Sequence, residues 1–305
     1  MGGSTTDKRD IYYRLSKTEG YRARSAYKLL QLDEIFGLFH ADSHALEDRW
    51  DFPEDGTLPT RNTKPTKIHV DPSKAPTRVV DLCAAPGSWS QVLVQKLPKG
   101  SRIVAVDLQP MAPVPGVIQV LGDITPQATA DEVVKALRSD QAGETEDYEK
   151  GLAQLIVCDG APDVTGVHDL DEFLHAQLML AATQITFRLL EVGGTFIAKI
   201  FTQHTPGNTS GAHESGHLLR LQFEPWFEHV DIIKPRSSRT TSVEHFVVCR
   251  NFRPPFDKGF DRRETPAMLK FAGLQGAGAA MDKLPKELRQ MVGITACGDL
   301  SGWDK

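Results

Sequence analysis

Short apolar runs alternate with helical patterns along most of the chain. The runs are Arg78–Leu82, Arg102–Leu108, Val117–Leu121, Leu155–Cys158, Thr195–Ile200, Val230–Lys234 and His245–Cys249. Each is short and mostly apolar, which is the pattern of strands buried on both faces. Between them, helical spacing covers Trp89–Leu97, Ala128–Arg138 and Leu170–Leu190, the last running to a helix stop at Gly193–Gly194. Ahead of them, Tyr21–Phe36 reads as an amphipathic helix, with Ala26, Leu29, Leu30, Ile35 and Phe36 apolar and Arg22, Arg24 and Lys28 among them. This alternation predicts an α/β, doubly wound, Rossmann-like fold with a seven-stranded, mostly parallel sheet.

Polar stretches at about 41–77, 140–150 and 203–217 interrupt the pattern and read as loop insertions. The first is acidic, then rich in Pro and Thr, and is expected to be dispensable for chemistry. One domain is expected over residues 1–253. The tail, 254–305, mixes Gly, Pro and charge and is assigned no fold.

Of the 305 residues, 40% are apolar and 25% charged, enough for a real core and ordinary for a soluble chain. No stretch reaches the ~18–20 apolar residues of a membrane span, and the N-terminus has no apolar leader. These features suggest a cytoplasmic protein. The four cysteines stand far apart without a CxxC, which excludes a disulfide scaffold or zinc ribbon. No His, Asp or Glu spacing suggests another metal.

The net charge of −5 argues at first against nucleic acid. Its distribution reverses that. Residues 41–60 and 140–150 carry local charges of −5 and −4 in the polar insertions, whereas residues 1–28 carry +4. A basic face for nucleic acid is therefore available.

Ligands of doubly wound sheets bind at the carboxyl ends of the strands. The first run ends in Asp81-Leu-Cys-Ala-Ala-Pro-Gly87-Ser-Trp89, where small residues admit a ligand close to the backbone. It is not GxGxxG, so no pyrophosphate cradle is indicated. The second run ends at Asp107, an acceptor for ribose hydroxyls. Asp123 follows the third and could accept from an adenine amino group, and Asp159 follows the fourth. Ordered carboxylates without a phosphate loop suit a cofactor that carries a nucleoside and a positive charge, as S-adenosylmethionine does.

The stretches DKRDIYYRLSKTEGYRARSAYKLLQLDE, VVDLCAAPGSWSQVL, VDLQPMAP, DGAPDVTGVHDLDEF, GGTFIAKIF and KPRSSRTTSVEHFVV carry a resemblance to the FtsJ-type RNA ribose 2′-O-methyltransferases. Within these the chain looks most like the eukaryotic enzymes of the tRNA anticodon loop, since Ser88 stands where the ribosomal-RNA branch has a second Gly. The resemblance implies the S-adenosylmethionine-dependent methyltransferase fold, with Gly87, Trp89, Asp107, Asp123 and Asp159 as cofactor residues. It implies a catalytic tetrad of Lys28, Asp159, Lys199 and Glu244, acting on the ribose 2′-hydroxyls of nucleotides 32 and 34. It also implies auxiliary protein subunits that select the nucleotide. The family continues KIF with an Arg-Gly pair; here Thr202-Gln203-His204 follow, so a contact implied there is not carried over.

The residues make chemical sense of that assignment. Lys199 interrupts an apolar strand, where an ammonium must find partners or lose its proton. A hydroxyl is a weak nucleophile, so a proton acceptor beside it helps, and Lys199 is the candidate. Arg22, Arg24, Lys234, Arg236 and Arg239 flank the tetrad in sequence and are expected to contact RNA phosphates. The competing readings are a ribosomal-RNA 2′-O-methyltransferase, a nucleotide-dependent dehydrogenase on the same fold and a non-catalytic RNA-binding subunit.

Overall fold

The computed structural model describes residues 10–39, 49–51, 60–62, 75–138, 151–162, 168–201, 219–220, 222–239 and 242–254. Helices α1 (Ile11–Thr18) and α2 (Ala26–Phe36) come first, then the short strands β1 (Arg49–Asp51) and β2 (Thr60–Asn62). Next come β3 (Arg78–Leu82), α3 (Ser88–Lys96), β4 (Arg102–Asp107), β5 (Val117–Leu121) and α4 (Gln127–Leu137). The chain continues through β6 (Ala153–Cys158), α5 (His168–Leu189), β7 (Leu190–Phe201), β8 (Phe227–Ile233) and β9 (Glu244–Phe252).

Strands β3 to β9 form one seven-stranded sheet in the order β5-β4-β3-β6-β7-β9-β8, and only β9 runs against its neighbours. The strand order reverses between β3 and β6, the switch point where doubly wound sheets hold ligands. All seven expected strands are present. Among the described residues β1 and β2 pair with each other, apart from this sheet. The insertion that contains them stops short of residue 77. Ala75 is buried, and the Thr77 amide donates to Gln154 Oε1 at 2.7 Å.

Side chains alternate across the sheet and build two cores. Val80, Leu82, Val104, Val106, Ile156, Ala198 and Val247 face α4 and α5. In α4, Ala130, Val133, Val134 and Leu137 fall at the i, i+3, i+4, i+7 spacing that lines one helix face. Phe187, Trp226, Phe227 and Phe252 close this core, with Phe187 and Trp226 centroids 4.4 Å apart. Full burial of each such side chain contributes roughly 1.5–3 kcal/mol. On the other face, Val79, Ile103, Leu155, Val157, Ile197, Phe246 and Val248 pack against Leu29 and Leu32 of α2 and Val92 and Leu93 of α3.

Two boundaries differ from the sequence pattern. The expected helix over Tyr21–Phe36 begins at Ala26. Before it, Asp10 caps the separate helix α1 by accepting from the Tyr12 and Tyr13 amides, and Gly20 turns the chain at φ +79°. Gly193 and Gly194 do not stop a helix. α5 ends at Leu189 and both glycines lie inside β7, where the register against β6 shifts between Ala153 and Leu155.

Candidate active site

The alternation that builds the second core also builds the site. Asp81, Asp107, Asp159 and Lys199 continue the inward parity of Val79, Ala105, Val157 and Ile197 to the carboxyl ends of their strands. β9 runs the other way, so its first residue, Glu244, reaches the same edge and stands opposite Phe201. Glu244 shares the parity of Phe246 and Val248. Helix α2, seated by Leu29 and Leu32, delivers Lys28 over this edge.

The four tetrad residues meet. Lys28 Nζ donates to Glu244 Oε2 at 2.8 Å and lies 3.6 Å from Asp159 Oδ1. Lys199 Nζ donates to the Asp159 main-chain carbonyl at 2.7 Å and lies 3.3 Å from the same Oδ1. Ser238 donates to the other Glu244 oxygen at 2.9 Å. Burial pushes the Glu244 carboxyl up, but Lys28, Lys199 and the Ser238 hydroxyl outweigh it and hold it below the ordinary glutamate value. Asp159 Oδ1 is buried and makes no hydrogen bond, only its two ammonium contacts. His175 of α5 packs 4.4 Å from Phe201. Burial and the Lys199 charge lower it to about 4, so it is neutral at physiological pH.

A pocket of about 220 Å³ opens at the ends of β4 and β5, lined by Asp107, Gln109, Pro110, Met111, Gln119 and Leu121 among others. Asp107 accepts from the Ala85 amide through Oδ2 and from the Gln109 amide through Oδ1, at 2.8 and 2.7 Å. Each oxygen keeps a lone pair for a ligand hydroxyl. Gly87 borders this region at φ +99°; a Cβ there would stand 2.7 Å from Arg22 Nη1 and 3.1 Å from Met111 Sδ. Asp123 is exposed, with Oδ1 bound by the Thr125 amide at 2.9 Å, two residues past the pocket wall at Leu121. These groups suit a ligand with a ribose.

Other expected residues take different places. Trp89, expected as a cofactor wall, is 2% exposed and lies in the second core. Its indole N–H donates to the Ser25 carbonyl and its ring meets Phe246 at 5.7 Å, because the first turn of α3 must cover the sheet. Of the expected RNA contacts, Arg236 and Arg239 are exposed, Arg239 with an ion pair to Asp10 at 3.7 Å. Arg24 instead bonds Asp10 and the Ser237 carbonyl, Lys234 bonds the Ser242 carbonyl, and the Arg22 guanidinium is spent on three loop carbonyls. Arg24, with Gln31 bound to the Ser237 amide, ties the 234–239 turn to α2.

The Asp81 carboxyl is fully buried and faces α3. Burial and the nearby Asp159 and Asp107 charges push it up to about 7, against the opposing Ser90 hydrogen bond at 2.6 Å. A carboxyl raised on folding stabilises fully below its unfolded value and loses that contribution as pH rises through about 7. Asp81→Asn should therefore resist urea better than the unaltered protein at pH 8, with the gap narrowing toward pH 4. A gap that does not change with pH would show that Asp81 is ionised throughout.

Among the described residues no three metal-binding side chains cluster, and no helix is long and apolar enough to cross a membrane. Cys83, Cys158 and Cys249 are free thiols.

Comparison with known proteins matches this architecture. The FtsJ-like methyltransferase pattern covers residues 21–252. The tRNA (cytidine(32)/guanosine(34)-2′-O)-methyltransferase of Mus musculus is 43% identical, over 100% of this chain and 76% of that one. The protein of the same name in Schizosaccharomyces pombe is 39% identical, over 100% of this chain and 86% of its own. The AdoMet-dependent rRNA methyltransferase SPB1 of Yarrowia lipolytica is 32% identical, over 86% of this chain but 24% of that one. With the strand order, the loop after β3 and the Lys-Asp-Lys-Glu cluster all in place, the chain belongs to the FtsJ-like methyltransferase family.

Proposed function

We propose that the chain is an S-adenosylmethionine-dependent tRNA methyltransferase that modifies the ribose 2′-hydroxyls of nucleotides 32 and 34 of the anticodon loop. The observation that carries the reading is the convergence of Lys28, Asp159, Lys199 and Glu244 at the strand edge that also bears the Asp107 pocket. Full-length similarity to the tRNA enzymes, against a lower and partial match to the ribosomal-RNA enzyme, supports tRNA as substrate.

The residues divide the work. Bound S-adenosylmethionine supplies an electrophilic methyl group. Asp107 would accept from its ribose hydroxyls, Asp123 from its base, and Asp159 would face its positive charge. Lys199 Nζ, in the neutral amine form left once its ammonium has given a proton to solvent, takes the proton of the 2′-hydroxyl. Its bond to the Asp159 carbonyl fixes the nitrogen in place, so the base need not be found by diffusion. Lys28 is held by Glu244 and placed beside Asp159, where it can bind the anionic backbone of the target nucleotide. Glu244 is kept ionised by Lys28, Lys199 and Ser238 and balances the two ammonium groups. Arg236 and Arg239 extend a cationic path for RNA phosphates. The reading includes a cytoplasmic location and auxiliary subunits that select the nucleotide.

Donor binding tests this directly. Asp107→Ala should weaken S-adenosylmethionine binding by ~1–3 kcal/mol in calorimetry, through lost acceptors for the ribose hydroxyls. Unchanged affinity would contradict the pocket assignment. A rise in melting temperature with NAD but not with S-adenosylmethionine would favour the dehydrogenase reading instead.

A further inference from the structure

We propose that Arg22 is a positioning residue of the methyl-donor site: its guanidinium braces the two loops that bracket the donor, and it is not an RNA contact. The inference rests on the donor pocket assigned above.

One fork holds three carbonyls. Nη1 donates to Pro86 at 2.8 Å and to Ala112 at 2.7 Å, and Nη2 donates to Pro113 at 2.9 Å. Pro86 lies in the loop after β3, next to Gly87. Ala112 and Pro113 lie in the loop after β4, next to Pro110 and Met111 of the pocket wall. All three carbonyls stand outside helix and strand. Three acceptors converging on one point repel one another unless a donor sits between them. A planar guanidinium meets that need with a rigid fork of N–H groups; a lysine ammonium is compact and presents no such fork.

The main chain of Arg22 is anchored as firmly. Its amide donates to Gln91 Oε1 at 2.8 Å, Gln91 Nε2 donates back to the Gly20 carbonyl at 3.1 Å, and the Tyr21 hydroxyl donates to Gln95 at 2.7 Å. Gln91 and Gln95 belong to α3, whose first turn follows Gly87. The brace is thus a closed triangle of α3, the β3 loop and the β4 loop. Gly87 fits the same design, since any Cβ would strike Arg22 Nη1 at 2.7 Å. The loop after β3 is otherwise tied to β4 only at the strand end, by the Ala84 amide to the Val106 carbonyl at 3.2 Å and the Ala85 amide to Asp107 Oδ2, among the hydrogen bonds of the described residues. Neither bond reaches residues 109–114, so without Arg22 nothing in this set would hold that part of the β4 loop to the β3 loop, and the aim of the Asp107 carboxylate would loosen with it.

The test uses the full chain and its Arg22→Ala and Arg22→Lys variants, with S-adenosylmethionine in calorimetry and a tRNA transcript in filter binding. Both variants should weaken donor binding by at least about tenfold and raise the donor KM, leaving tRNA affinity and kcat at saturating donor within about twofold to threefold. In Arg22→Lys, amide hydrogen exchange should quicken at Gln109 and Met111 and stay unchanged in the sheet. Donor affinity unchanged in Arg22→Lys, tRNA affinity lost instead, or exchange quickened throughout the molecule would each overturn the proposal. Failure of the unaltered protein to bind S-adenosylmethionine would overturn the donor-site reading itself, a result distinct from unaltered binding in the variants.

Discussion

Lys199→Arg should reduce methyl transfer to tRNA by ~10²–10⁴-fold, close to the loss expected of Lys199→Ala. Arginine keeps the positive charge beside Asp159 but does not release its proton in proteins, so it cannot act as acceptor. Donor affinity should change little, because the pocket residues are spared. Single-turnover assays on tRNA, paired with calorimetry, check both halves. Near-normal turnover in Lys199→Arg would reduce Lys199 to a placed charge and give proton removal to another group or to water.

Asp159→Asn should be the second most damaging change. Asparagine keeps the volume and the main-chain carbonyl that binds Lys199 at 2.7 Å. It removes the one anion that lies 3.3 Å from Lys199 and 3.6 Å from Lys28. Two ammonium groups would then share Glu244 alone. Removing one member of a largely buried ionic group costs up to ~3 kcal/mol of stability after some allowance for its partial exposure. Turnover should fall by roughly 10²-fold or more as the geometry of both lysines relaxes. Urea titration and single-turnover kinetics measure the two effects. Full activity with full stability would show that Glu244 alone organises the lysines.

The sheet was legible because its signal is local. The inner strands are buried on both faces and read as nearly continuous apolar runs, while the edge strands β5 and β8 carry polar, exposed positions such as Gln119 and Glu228 and are marked by their turns as much as by their apolar residues. The tetrad was legible through its motifs and through the oddity of a lysine in Thr-Phe-Ile-Ala-Lys-Ile-Phe. What the pattern could not convey was direction and depth. His245–Cys249 reads the same whichever way it runs, so the reversal of β9 that brings Glu244 to the edge where Asp159 and Lys199 lie had no local sign. Gly193–Gly194 looked like a helix stop because glycine serves helix ends and strand irregularities alike. The separate helix α1 did carry a signal, Asp10 ahead of Ile11, Tyr12 and Leu15, in the form of an N-cap before an apolar periodic run.

Arg22 and Trp89 show the larger limit. In sequence, an arginine beside tyrosines in a basic segment suggests RNA, and the family resemblance implies a cofactor wall at Trp89. Both have long-range partners instead. Arg22 reaches carbonyls 64 to 91 positions away, and the Trp89 indole meets Ser25 across 64. Contacts at such separation depend on how the loops pack, which residue type and spacing do not encode. Asp81, in sequence one more carboxylate at a strand end, differs from the others for the same reason. Its significance lies in its complete burial beside Ser90 and near the Asp107 and Asp159 charges.

The most direct test of the central claim is mass-spectrometric mapping of ribose methylation after the full chain, alone and with cell extract to supply any proposed auxiliary subunit, acts on tRNA with S-adenosylmethionine. The account predicts 2′-O-methyl groups at nucleotides 32 and 34. Each should vanish when its own nucleotide is made 2′-deoxy, and both should vanish with Lys199→Ala. Methylation that persists on a 2′-deoxy nucleotide, or that survives Lys199→Ala at the normal rate, would contradict it.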